Sequence, residues 1–142
     1  MGLARVVRPG TDVTVASYGA MVRTALDAAT AAEDEGVSLE VLDLRSLSPL
    51  DDAALDASVR RTGRLVVVHE APREAGLAAE VITGVVERSF DALRAAPVRI
   101  TGHDLPYPPA KTEQHFLPDL DRILDGVDRA LGRPNSLTGL QP

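Results

Sequence analysis

The chain has 142 residues, 44% hydrophobic and 25% charged, with a formal net charge of −6 and no cysteine. That length suits one domain around one core, and the missing thiols exclude disulfides, thiolate metal sites and a cysteine nucleophile. An acidic balance with only two Tyr and two Phe disfavours nucleic acid, and no segment approaches the ~20 apolar residues of a membrane span; the expectation is a cytoplasmic protein with no nucleic-acid or membrane role.

Leu3 to Val7 reads as a short strand ended by the turn Arg8-Pro9-Gly10, and Asp12 to Ser17, with alternating β-branched residues, as a second. From Ala20 to Glu35 the spacing of Val22, Leu26, Ala29 and Ala32 predicts a helix, with Gly36 at the left-handed cap. Val37 to Leu44 is β-like. Ser48-Pro49-Leu50-Asp51 then opens a helix through Ala54, Leu55 and Val59 that stops at Gly63. Leu65-Val66-Val67-Val68 lacks polar alternation, as a strand covered on both faces does, and is read as a central strand.

After a loop at Ala71-Pro72-Arg73-Glu74, a helical stripe runs from Leu77 to Val86, followed by a strand from Val98 to Thr101. Leu105 to Pro118 holds four prolines and is predicted to form neither helix nor central strand. Leu120, Ile123, Leu124, Val127 and Leu131 mark a last amphipathic helix, and residues 135–142 a loose tail after a domain spanning 1–134. Strands alternating with helices imply a mainly parallel sheet in a three-layer α/β/α domain.

Ligands of such sheets bind beyond the carboxyl ends of the strands. Those positions hold Tyr18-Gly19, Asp43-Leu44-Arg45, His69-Glu70 and Gly102-His103-Asp104. His69, Glu70, His103 and Asp104, with His115 and Glu113 nearby, could form an acid/base pair or a metal site. Their spacing matches no compact metal motif, and the preferred reading has them bonded to loops and strand ends. No glycine-rich phosphate loop is present, and Ser17, Ser46 and Ser48 sit in no nucleophile elbow. Asp119, Asp121, Asp125 and Asp128 give the last helix an acidic face, either solvated or a docking surface, with the first two also favoured by the helix dipole.

Four ordered blocks carry a family resemblance: Gly10 to Val22, Val41 to Asp51, Thr62 to Arg73 (with His69-Glu70-Ala71-Pro72), and Thr101 to Pro108. They resemble the transketolase C-terminal domain, as found in the E1 β subunit of pyruvate and branched-chain 2-oxoacid dehydrogenases. The resemblance covers residues 10 to 132. One departure stands out: where the family has two adjacent glycines after His-Glu, this chain has Ala75-Gly76, which is tolerable only if position 75 does not need positive φ.

The resemblance implies a mixed five-stranded sheet with the first strand antiparallel. It also implies a parent α2β2 enzyme that decarboxylates a 2-oxoacid on thiamine diphosphate, held with a divalent metal, and reductively acylates a lipoyl group. That cofactor and its activating glutamate belong to the α subunit and the N-terminal β domain. The chain is therefore expected to hold no cofactor and to be inactive alone, and its start suggests a truncated chain or a split gene. Expected partners are the E1 α subunit, a second β subunit and the basic binding domain of the E2 acyltransferase. Tyr18, Arg45, His69, Glu70, His103 and Asp104 are the interface candidates, and Asp125 and Asp128 the docking candidates. The alternative is a stand-alone regulatory or ligand-binding module of the same fold; a small enzyme using His69, Glu70, His103 and Asp104 ranks last.

Overall fold

A computed structural model of the chain describes residues 2–134; the expected tail at 135–142 lies outside the described residues. Strands β1 (Arg5–Arg8), β2 (Val13–Ser17), β3 (Leu39–Asp43), β4 (Leu65–Pro72) and β5 (Val98–Gly102) form one sheet in the order β1-β3-β2-β4-β5. β1 runs antiparallel to β3, and the other neighbours are parallel. The helices are α1 (Met21–Asp34), α2 (Asp52–Thr62), α3 (Leu77–Ser89), α4 (Glu113–Phe116) and α5 (Leu120–Leu131), with a 3-10 turn at Phe90–Ala92.

The layers follow from a two-residue side-chain period in strands that are apolar on both faces. Val15, Val41, Val66 and Val68 point to one side, where they pack with Ala25, Ala28 and Ala29 of α1 and Ile123 and Val127 of α5. Ala16, Leu42, Leu65 and Val67 point to the other, against Leu55 and Val59 of α2 and Val81 and Val85 of α3. The alanine face of α1 leaves short side chains between helix and sheet. Asp51 caps α2 by accepting from the Ala54 amide at 3.1 Å, and its other oxygen accepts from the Ala4 amide at 2.9 Å, tying the start of the chain to that helix. Gly36 and Gly63 take the expected left-handed conformation, at φ 77° and 72°.

Several expectations are corrected. β4 is a central strand as expected, paired with β2 and β5, whereas the middle place of the five belongs to β2, whose five residues are all buried. β4 continues through Pro72, past a register break after Val68, where the missing proline N–H interrupts no regular ladder. A single helical turn, α4, fits inside the proline-rich segment, because Pro109 and Pro118 leave a proline-free span between them. The first strand begins at Arg5 rather than Leu3. Ala75 does adopt positive φ, 54°, so the condition attached to the lost glycine is not met and the loop carries a strained residue.

Candidate functional site

Parallel register aligns Ser17 with Asp43 and with Val68, so β2 and β3 end together beside Val68 of β4, and Tyr18, Leu44 and His69 follow at one rim. Tyr18 and His69 meet there, ring centroids 6.1 Å apart. His69 is fully buried, and neither ring nitrogen has a hydrogen-bond partner of normal geometry among the described residues. Burial pushes its pKa below the ordinary histidine value; the nearby backbone of Ala71 opposes this shift and the charge of Arg99 adds to it. Burial also raises the Tyr18 phenol, and the negative charge of half-buried Glu70 raises it further. The pair thus sets a fully buried imidazole against a partly exposed phenol, and burial favours the neutral form of each.

The remaining candidates do not join it. Exposed Arg45 sits at φ 58°, its amide donating to Asp43 Oδ1 at 3.1 Å, and lines a shallow cavity with Gly2, Leu3 and Ser46. His103 is exposed and packs edge-on against Phe116 at 6.2 Å, while Asp104 accepts from the Glu74 amide at 3.0 Å and so clips the β4–α3 loop to the end of β5. The Tyr107 hydroxyl donates to Glu113, and this hydrogen bond, ahead of other causes, pushes the phenol pKa up to about 12. Each group has its own local partner, and no three His, Asp or Glu side chains gather into a metal-binding group among the described residues.

Two features escaped the sequence reading. A buried polar network joins the sheet to α2: Thr14 Oγ1 lies 2.7 Å from Ser58 Oγ and 2.8 Å from Thr62 Oγ1, Ser58 also donates to Glu40, and Arg61 Nη2 reaches Glu40 at 2.7 Å. Its one sequence signal is a polar residue, Thr14 or Glu40, at the second position of each of two strands that are otherwise apolar up to their last residue. The second feature is a basic flank of α5 opposite the expected acidic face. Toward α1, Asp121, Asp125 and Asp128 share a groove with Glu35; toward β5, Arg122 and Arg129 face Arg73 and Arg99. Asp125 touches both flanks, and the acidic face is less continuous than spacing alone suggests, since Arg129 and Arg133 approach Asp125 and Asp128.

Comparison with known proteins agrees with this architecture. The family model described as "Transketolase, C-terminal domain" matches residues 2–123. The pyruvate dehydrogenase E1 component subunit beta of Leifsonia xyli is 52% identical over 128 residues, covering 90% of this chain and 38% of that protein. The 3-methyl-2-oxobutanoate dehydrogenase subunit beta of Mycobacterium tuberculosis is 50% identical over 135 residues, covering 94% of this chain and 39% of that protein. A solved split gene transketolase, an inactive β4 tetramer, superposes with a TM-score of 0.79 at 31% identity, over 92% of this chain and 42% of its own. The chain thus spans well under half the length of these relatives, and what it matches in the E1 β subunits is a single domain of the subunit. By sequence blocks, sheet order and family match together, the chain belongs to the transketolase C-terminal domain family, in the form found in E1 β subunits of pyruvate and branched-chain 2-oxoacid dehydrogenases.

Proposed function

We propose that the chain is the assembly and docking domain of a thiamine-diphosphate-dependent 2-oxoacid dehydrogenase E1 β subunit, with no turnover of its own. The observation that carries this reading is the match of nearly the whole chain to a minor part of two E1 β subunits, at 52% and 50% identity. The side chains present do not fit thiamine diphosphate: the deeply buried carboxylate, Glu40, is engaged by Ser58 and Arg61 rather than directed into a cavity, so no catalytic step is assigned to this chain. Within the complex, Tyr18, Arg45, Glu70, His103 and Asp104 form the rim offered to the α subunit and the rest of β, with His69 as its buried support. A cytoplasmic location accompanies this role; among the described residues no helix is long and apolar enough to cross a membrane.

The E2 acyltransferase's basic binding domain docks, in this reading, on the acidic groove between α1 and α5, where Asp121, Asp125 and Asp128 stand with Glu35 around a cavity of about 220 Å³. Contact with a second β subunit belongs to the same reading, by analogy with the β4 tetramer of the split gene transketolase that the chain resembles.

The test is to mix the pure chain with 2-oxoacid, thiamine diphosphate, a divalent metal and an artificial electron acceptor, and separately with the acyltransferase binding domain. Absence of turnover together with salt-sensitive binding that weakens in Asp125→Asn/Asp128→Asn is the expected result. Turnover by the chain alone refutes the non-catalytic role, and binding indifferent to both substitutions refutes the docking surface. Light scattering showing a strict monomer at high concentration would count against the second-subunit contact.

A further inference from the structure

The flank of α5 turned toward β5 borders a cleft of about 280 Å³ that shares Asp125 with the docking groove and Asp104 with the strand-end rim. Arg73, Arg99, Arg122 and Arg129 line it, with Asp104 and Asp125. Arg129 has Asp125 at 3.5 Å, but among the described residues Arg73, Arg99 and Arg122 have no carboxylate within ion-pairing distance. Arg99 donates to the carbonyl of Arg73 at 3.4 Å and Arg122 Nη2 to the carbonyl of Thr101 at 2.6 Å, which leaves their positive charge unbalanced. Among the described residues Arg122 Nη1 and Asp125 Oδ1 are both closed off from solvent without a hydrogen-bond partner.

A chain of net charge −6 thus gathers four cations at one place, faced by two carboxylates, one of which already accepts from the Glu74 amide. Like charges held together are stabilised by a bound anion. The excess of cations over carboxylates matches a dianion with several acceptor oxygens on one compact head. A phosphoryl group has that charge near neutral pH, and its oxygens suit the planar fork of arginine. We propose that this cleft binds the phosphoryl group of a small phosphomonoester or of inorganic phosphate. The site owes nothing to the docking groove except Asp125, which acts oppositely in the two: it attracts a basic partner and repels an anion.

The experiment is calorimetric titration of the full chain at low ionic strength with inorganic phosphate, phenyl phosphate and succinate. The expected result is saturable binding of one equivalent of the phosphoryl compounds, with succinate much weaker. Preference for phenyl phosphate marks an ester as the ligand class, and equal affinity marks free phosphate. Arg99→Gln and Arg129→Gln, both at the protein surface and checked for fold by circular dichroism, should each weaken binding about tenfold or more, as loss of a charge-assisted hydrogen bond does. Arg23→Gln, on α1 and away from the cleft, should change nothing, and Asp125→Asn should tighten phosphate while weakening docking. Absence of saturation, equal loss in Arg23→Gln and Arg99→Gln, or succinate binding as tightly as phosphate overturns the proposal without touching the docking reading.

Discussion

Gly76 lies directly against the ring of His69: a methyl group on Gly76 would stand 2.8 Å from Cε1 and 3.0 Å from Nε2, and would also meet the carbonyl of Pro72. The backbone of Gly76 is extended, at φ −79°, so the glycine is needed for space and not for conformation. Gly76→Ala should therefore destabilise the fold by about 1–3 kcal/mol, the usual cost of overpacking a rigid site. Urea denaturation of the two proteins checks this, and an unchanged midpoint would show that the ring moves freely.

The same burial sets a pH dependence. His69 has its pKa lowered in the folded state from the ordinary 6.5, burial being the largest cause. Above about pH 6.5 both folded and unfolded forms are neutral and the full stability is present; as pH falls toward the folded value, only the unfolded chain takes up the proton and stability is lost. The slope from this one group is at most about 1.4 kcal/mol per pH unit. Urea unfolding of wild type and His69→Gln at a series of pH values from about 8 to 5 isolates it, since Gln cannot titrate. Parallel curves for the two proteins would mean that His69 protonates equally in both states.

Ala75 occupies the left-handed region at φ 54°, where a side chain costs roughly 1–2 kcal/mol. Ala75→Gly relieves that strain, and the added flexibility of the unfolded chain returns about 0.4–1 kcal/mol of it. The expected outcome is a gain of about 1 kcal/mol or slightly less. A lower thermal midpoint in the glycine variant would contradict the strain.

Glu40 has a side chain only 3% exposed, and its partner Arg61 is 50% exposed. Arg61→Leu leaves the carboxylate with Ser58 as its remaining close partner, costing about 1–3 kcal/mol even though the removed charge is half solvated. Glu40→Gln should cost less, because the amide keeps an acceptor for Ser58 and Arg61. If the two variants unfold at the same urea concentration, the carboxylate is not held in the way described.

The α/β/α order was legible because most elements carry local signals: Asp51 as a cap, Gly36 and Gly63 as left-handed stops, and the unbroken apolar run Leu65 to Val68. The candidate rim was legible in outline, since a parallel sheet must bring its strand ends to one side. The detail was not. Nothing local separates His69, sealed between Tyr18 and Gly76, from His103, exposed against Phe116, because burial depends on what other segments lay over each ring. Likewise α4 is hidden by the prolines around it, because a single turn needs only the proline-free gap between Pro109 and Pro118.

The linear order of residues by itself determined the layers, the helix stops and the family, because hydrophobic period, caps and motif blocks are properties of neighbours along the chain. Tertiary structure alone decided which charges meet. The arginines at 73, 99, 122 and 129 come from the end of β4, from β5 and from α5, and only the packing of that helix beside the edge strand brings them around one cleft. Coulomb interactions depend on distance in space, and sequence separation carries no information about it until the chain has folded.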